Sequence, residues 1–139
     1  MSVALEVVSP EKLLLSRPVD MVVLPASEGD MGVLEGHAPV MVTLRGGVIA
    51  LYENDRVTDT FFVSSGFAEV TPERCTVLAT EVAPLAELQR AEGERRLAEA
   101  EATLRDVNPA DVEAEMHALD RVQSARAMIE AADGLLTGQ

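Results

Sequence analysis

At 139 residues the chain has room for one ordinary domain, or for a small domain with an appendage. Its formal net charge of -13 falls on both halves, twelve acidic against five basic side chains up to Pro84 and twelve against six beyond it; with no basic cluster, nucleic acid is excluded as a partner and direct adsorption to anionic lipid is disfavoured. The single Cys75 cannot form an internal disulfide, no apolar run approaches the ~18 residues that cross a bilayer, and no charged-then-apolar signal pattern opens the sequence, so the expectation is a soluble chain in a reducing compartment that meets a membrane only through other proteins.

The first half is rich in Val, Leu and turn residues. Apolar runs at residues 4–8, 12–16 and 20–24 are separated only by Ser9-Pro10-Glu11 and Arg17-Pro18, gaps that suit antiparallel connections. Residues 25–39 hold two prolines and three glycines and predict an ordered loop with a specified backbone path. Further runs at 40–44, 48–52, 56–63, 67–70 and 74–80 follow, with Gly46-Gly47 expected as a hairpin turn. This number of short strands predicts an antiparallel β-sandwich or flattened barrel over residues 1–84. Several strands are apolar on nearly every position, as in Met21-Val22-Val23-Leu24, so part of the outer sheet surface is expected to be covered by the tail or by a partner.

Pro84 marks a boundary, and residues 85–139 turn to Ala, Glu, Arg and Leu. A helix is expected over 85–106, with Leu88, Ala91, Ala98 and Ala102 on one stripe. Gly93 inside it costs about 1 kcal/mol relative to Ala and is expected to soften it. Asn108 as N-cap, Pro109 at the first helical position and Asp111 in the first turn predict a restart; the second helix should reach about Asp133, with Val112, Met116, Leu119, Val122 and Ile129 inward and Gly134 as stop. A connection this short makes the pair an antiparallel hairpin. Its alanine-rich faces bury little by themselves, so it should dock on something.

The residues that invite chemistry do so weakly. Glu28, Asp30, Glu35 and His37 crowd one loop, but their spacing is not that of a calcium loop, and His37 lacks a partner histidine or cysteine. Gly46-Gly47 is followed by no Lys-Ser or Lys-Thr, and Cys75 sits in an apolar strand as an inert thiol. The arginines of the first helix alternate with glutamates at ion-pair spacing. No catalytic residue and no metal site is expected. The reading that competes from another class is a small acidic ligand-binding or enzymatic β-domain with an oligomerising helical tail, resting on the loop carboxylates and His37.

The segment Glu28-Gly29-Asp30-Met31-Gly32-Val33-Leu34-Glu35-Gly36-His37-Ala38-Pro39 resembles the signature loop of the epsilon subunit of F-type ATP synthases, called delta in mitochondria. Val7-Val8-Ser9-Pro10-Glu11, Leu44-Arg45-Gly46-Gly47-Val48 and Ser65-Gly66-Phe67-Ala68-Glu69-Val70 support the resemblance, which runs over nearly the whole chain. It implies a non-catalytic central-stalk subunit at the cytoplasmic face of an energy-transducing membrane, with a sandwich held against the gamma subunit and standing on the ring of c subunits. By the same resemblance Ser27, Glu28, Gly29 and Asp30 face the ring, and His37, Val40, Met41 and Thr43 contact the stalk. The family's helical hairpin lies folded on the sandwich or extends toward the alpha and beta subunits, where it inhibits ATP hydrolysis. Some members bind regulatory ATP through an (Ile/Leu)-Asp-x-x-Arg-Ala motif. Here Ala86-Glu87-Leu88-Gln89-Arg90-Ala91 matches only at Arg90 and Ala91, with Glu81, Glu87 and Arg126 as further candidate contacts. The pattern therefore implies no resident cofactor, with ATP as a regulatory ligand to be tested.

Overall fold

The computed structural model describes residues 1–134, so the last residues of the expected 85–139 domain lie outside the described residues. In chain order the strands are β1 (Val3–Val8), β2 (Leu13–Val19), β3 (Met21–Ala26), β4 (Gly29–Leu34), β5 (Val40–Leu44), β6 (Gly47–Glu53), β7 (Arg56–Val63), β8 (Gly66–Val70), β9 (Arg74–Ala79) and β10 (Val82–Pro84). A 3-10 turn at Leu85–Glu87 leads to α1 (Arg90–Asp106) and α2 (Val112–Ala132). The expected β-sandwich followed by a helical hairpin is what forms.

The strands make one continuous sheet in the order β10-β7-β6-β3-β5-β8-β9-β1-β2, with β4 pairing β3 off this path. The sheet curls so that one face encloses a core of Val3, Leu5, Val22, Leu24, Leu51 and Val77, among others. Period-2 alternation places these residues: β1 buries Val3, Leu5 and Val7 and turns Ala4, Glu6 and Val8 outward. Arg17 of β2 helps close the curl by reaching Asp59 of β7 and, at 3.7 Å, Glu53 of β6. The pairing of β1 with β9 is parallel, against the all-antiparallel expectation. Nothing local signals it, because the two strands are far apart in sequence and meet only when the sheet curls.

The segment 25–39 is not a single loop. Pro25 and Ala26 end β3, Ser27 and Glu28 make a tight turn, and β4 returns in register with Ala26 opposite Gly29 and Val23 opposite Gly32. The glycines of β4 hid a strand from a reading of residue type, since β propensity is overridden by ladder pairing on a half-covered sheet. The glycine-dependent backbone is at the turns: Gly36 has φ +86° and donates its N–H to Pro72 O at 2.7 Å.

Gly46-Gly47 is likewise not a hairpin turn. β5 pairs with β8 and, at Leu44, with Ala26 of β3, whereas β6 pairs with β7 and with Met21, Val22 and Val23 of β3, so the two glycines carry the chain from its pairing with β8 to its pairing with β7.

The helices differ from expectation at their starts and in their faces. Leu88 and Gln89 are extended and α1 begins only at Arg90, because Leu85 and Leu88 pack against Phe62 on the sheet instead of joining a helix. Asp111, not Asn108, caps α2: its carboxylate accepts the Ala114 N–H at 3.1 Å, while Asn108 accepts the Ala110 N–H at 2.9 Å in a local turn. Gly134 follows α2 with φ +83°.

In α1 the buried residues are Gly93 and Ala100, and Ala91 and Ala98 of the expected stripe are exposed. In α2 only Val122 of the expected inward set is buried, with Ile129 half-buried; Val112, Met116 and Leu119 are 65%, 59% and 47% exposed. Small residues face inward because α2 is pressed from two sides, by α1 and by the sheet, and alanines permit the approach. Gly93 therefore serves contact more than flexibility: a Cβ there would lie 2.8 Å from Ile129 Cγ1 and 3.2 Å from Ile129 N.

Candidate functional site

Three surfaces stand out among the described residues. The first is the tip of the β3–β4 hairpin. Ser27, Glu28, Gly29 and Asp30 are all exposed there. The turn is nevertheless held: Ser27 N–H donates to Thr43 O at 2.8 Å, and Arg45 donates to Asp30 Oδ1 at 2.7 Å. The polar tip projects from a rigid base, an arrangement for presenting backbone and hydroxyl groups to another surface.

The second surface crosses the sheet. Strand register aligns Thr43 of β5 with Phe67 of β8, Phe67 with Leu78 of β9, Leu78 with Val8 of β1, and Val8 with Leu13 of β2. Phe67, Leu78 and Leu13 are 49%, 41% and 53% exposed, so this single cross-strand row is an apolar stripe on the outer face. The adjacent row carries Met41, Glu69, Thr76 and Glu6, and Arg74 closes on Glu6 at 2.7 Å. An exposed apolar band with a charged rim has the make-up of a protein-docking face.

Of the residues expected to touch the stalk, Met41 and Thr43 lie at the β5 end of this surface and are exposed, Val40 begins the same strand, and His37 is half-buried in the loop before it. The His37 ring directs Nδ1 at the Ala38 carbonyl oxygen, 2.8 Å away. The sequence marked Thr76-Val77-Leu78-Ala79 as a run apolar on nearly every position with an outer surface to cover, but it did not name Phe67, Val8 or Leu13 as part of such a surface. A signal existed in Phe67, a large aromatic at an outward position between the inward Gly66 side of the turn and buried Ala68. Its alignment with the others depends on register.

The third surface is the junction between hairpin and sandwich. Phe62, fully buried, packs with Ala127, Met128 and Ala131 of α2, and Val48, Leu85 and Leu88 close around them. Charged groups flank this contact. Arg96 of α1 grips both oxygens of Glu81 at 2.5 and 2.8 Å and also reaches Glu92 at 2.8 Å; Arg95 joins Glu92 at 2.7 Å to Glu99 at 2.6 Å. The Arg95 and Arg96 guanidinium groups hold the Glu92 carboxyl down at about 2.

The candidate nucleotide contacts are not brought together. Glu81 borders an open cleft of about 590 Å³ with Arg96, His117 and Arg121, whereas Arg126 borders a second cleft of about 500 Å³ on the other flank of α2 with Arg45 and Asp30. Glu87, Arg90 and Ala91 line neither cleft; Arg90 pairs with Glu94 and with Asp133 near the end of α2.

The carboxylates and histidine behind the enzyme reading are dispersed as well. Glu28 is in the tip turn, while Glu35 and His37 lie at the far end of β4, about 20 Å of extended chain away. Among the described residues no three His, Cys, Asp or Glu side chains gather in a group fit to hold a metal ion. Burial pushes the Cys75 thiol up to about 12, which leaves it unreactive at neutral pH.

These features define a class: a β-sandwich with an exposed apolar row, a hydrogen-bonded polar tip and a pair of helices folded onto its sheet. The family described as "ATP synthase, Delta/Epsilon chain, beta-sandwich domain" matches residues 2–84. An ATP synthase epsilon chain of Granulibacter bethesdensis is 58% identical over 129 residues, 93% of this chain and 96% of its own length. Another, from Gluconacetobacter diazotrophicus, is 45% identical over 134 residues, 96% and 95% of the two chains. The chain belongs to the ATP synthase delta/epsilon family.

Solved structures share the fold. A chain of the Euglena gracilis mitochondrial ATP synthase, in a structure of its OSCP, F1 and c-ring, superposes with a TM-score of 0.74 at 23% identity, covering 94% of this chain and 81% of that one. A chain of the Tetrahymena thermophila mitochondrial ATP synthase central stalk and c-ring superposes at 0.71 with 12% identity, covering 95% and 97%.

Proposed function

We propose that this chain is a non-catalytic rotor subunit of the central stalk, which couples rotation of the c ring to the catalytic head through the gamma subunit. The observation that carries the reading is the stripe of Phe67, Leu78, Val8 and Leu13, ended by Thr43: an apolar row on the outside of a sheet whose other face packs the core. Gamma is its occupant, and the tip of Ser27, Glu28, Gly29 and Asp30 seats on the polar loops of the c ring. Torque transmission requires a stiff body between these two contacts, and the hydrogen-bonded base of the tip supports that requirement.

Chemistry in this reading belongs to other subunits. The subunit sits at the cytoplasmic face of the membrane and is held there by its partners; no helix of the described residues is long and apolar enough to cross a bilayer. The folded hairpin is a regulatory element that would act on ATP hydrolysis by meeting the alpha and beta subunits when extended. No resident cofactor is assigned: Glu81 and Arg90 are already ion-paired, so regulatory ATP would have to displace those partners.

Affinity capture of the purified chain by gamma tests the reading. Wild-type chain should be retained at micromolar concentration, and Phe67→Asp combined with Leu78→Asp should abolish retention while leaving the melting temperature within a few degrees, since both side chains are half-exposed. Equal retention of the double variant would overturn the assignment of the stripe, and no retention of wild type would overturn the docking to gamma.

A further inference from the structure

Gly46 is held by α2 through its backbone. The side-chain amide of Gln123 accepts the Gly46 N–H at 2.9 Å and donates to the Gly46 carbonyl at 2.7 Å, an imitation of one rung of a β-ladder. Glycine is required there, because a Cβ would lie 2.6 Å from the Cα of Ser124. The neighbouring Arg45 ties the same segment to the tip, within the cleft that Gln123 and Arg126 also line. Its guanidinium donates to Ala26 O at 2.5 Å and to the Asp30 carboxylate at 2.7 Å, and its backbone N–H donates to Pro25 O at 2.9 Å. On the other side, Gly47 presses against β3, where a Cβ would meet the Pro25 Cβ at 2.8 Å.

Residues 45–47 are thus clamped between two elements that are otherwise distant in sequence. They cannot shift toward or away from α2 without moving the partners of Ala26, Pro25 and Asp30. We infer that Arg45 and Gly46 form a relay through which docking of the hairpin sets the shape of the β3–β4 tip. Arg45 and Gln123 are positioning residues in this device. Coupling is reciprocal, so a partner that locks the tip tightens the grip of Gln123 on Gly46. The benefit to function rests on the reading above, in which the tip meets the c ring: the ring contact would then sense whether the hairpin is docked.

Amide hydrogen exchange on the full chain, followed by NMR, tests the relay without any partner. In Gln123→Leu the Gly46 amide loses its acceptor and should exchange about tenfold faster. The relay requires the Ser27 and Arg45 amides, which donate to Thr43 O and Pro25 O, to accelerate at least about threefold as well, while amides between β1 and β9 keep their wild-type rates. A hairpin that undocks entirely in this variant gives the same reading. Arg45→Lys supplies the converse, because it keeps the charge and loses the fork; the Gly46 amide should accelerate although its own acceptor is intact. Unchanged Ser27 and Arg45 rates in Gln123→Leu, or an unchanged Gly46 rate in Arg45→Lys, would overturn the relay. Because the readout comes from the isolated chain, failure to bind a c ring would overturn the partner assigned to the tip and leave the relay standing.

Discussion

Phe61 and Phe62 are adjacent in β7 and serve two different cores: Phe61 packs against the interior of the sandwich, and Phe62 lies fully buried under α2 on the opposite face of the sheet. The pleat makes this division, since consecutive side chains on a strand point to opposite faces. The hairpin's attachment therefore centres on one aromatic ring surrounded by alanines and Met128.

Phe62→Ala should cost about 3–5 kcal/mol, the range for removing a buried aromatic side chain. Urea denaturation followed by circular dichroism should show the loss, with the helical signal melting ahead of the sheet signal. Coincident transitions with wild-type midpoints would show that the hairpin is held by something other than this ring.

Gly93→Ala tests close packing against helix propensity. On propensity alone the change should stabilise α1 by about 1 kcal/mol. The new methyl would sit 2.8 Å from Ile129 Cγ1 and 3.2 Å from the Ile129 backbone N, so the variant should instead be destabilised by about 1–3 kcal/mol of overpacking. Ile129→Val in the same chain should recover little of the loss, because valine keeps the branch carbon that meets the methyl and the backbone contact also remains. A gain in melting temperature from Gly93→Ala alone would refute the role given to this glycine.

The charge ladder of Glu99, Arg95, Glu92, Arg96 and Glu81 gives a pH dependence. The folded state holds the Glu92 carboxyl at about 2, below its ordinary value, mainly through the hydrogen bond from Arg95 and next that from Arg96. The stabilisation is present above the unfolded carboxylate range near 4.3 and is lost as pH falls from there to about 2. Melting temperature should drop across this window, and Glu92→Gln should flatten the drop. Added salt should weaken the effect, since the pairs face solvent.

Removing residues 85–139 tests regulation in the assembled enzyme. The deletion exposes Phe62 and Val48, so it should be made together with Phe62→Ser to keep the sheet soluble. If the hairpin restrains hydrolysis, ATP turnover should rise several-fold over the same assembly with the full chain. Unchanged turnover would remove the inhibitory role.

Much of the fold was legible because it depends on local chemistry. The apolar runs that became β1 and β9, the break at Pro84 and the glycine after α2 each act within a few residues. The tip residues Ser27 to Asp30 were named only through the family resemblance, because local chemistry marked 25–39 as one loop and did not place the turn at Ser27 and Glu28. Other features were hidden because a residue's type does not state its neighbour. Asp111 displaced Asn108 as the cap, and a glycine-rich strand passed for a loop.

The sequence by itself determined the two-part architecture and the acidic balance of both halves, since composition, periodicity and turn chemistry are properties of short stretches of chain, and it marked the signature segment by its resemblance to the epsilon family. Only the tertiary structure decided the surfaces. The stripe from Thr43 to Leu13 exists because register aligns one outward residue from each of five strands, including a parallel pair that no local pattern announces. The direction of the hairpin was decided in the same way. Val112, Met116 and Leu119 look like its inner face, but Gly93, Ala100 and the alanines of α2 are what allow helix, helix and sheet to approach, and close packing outweighs side-chain size when three elements meet.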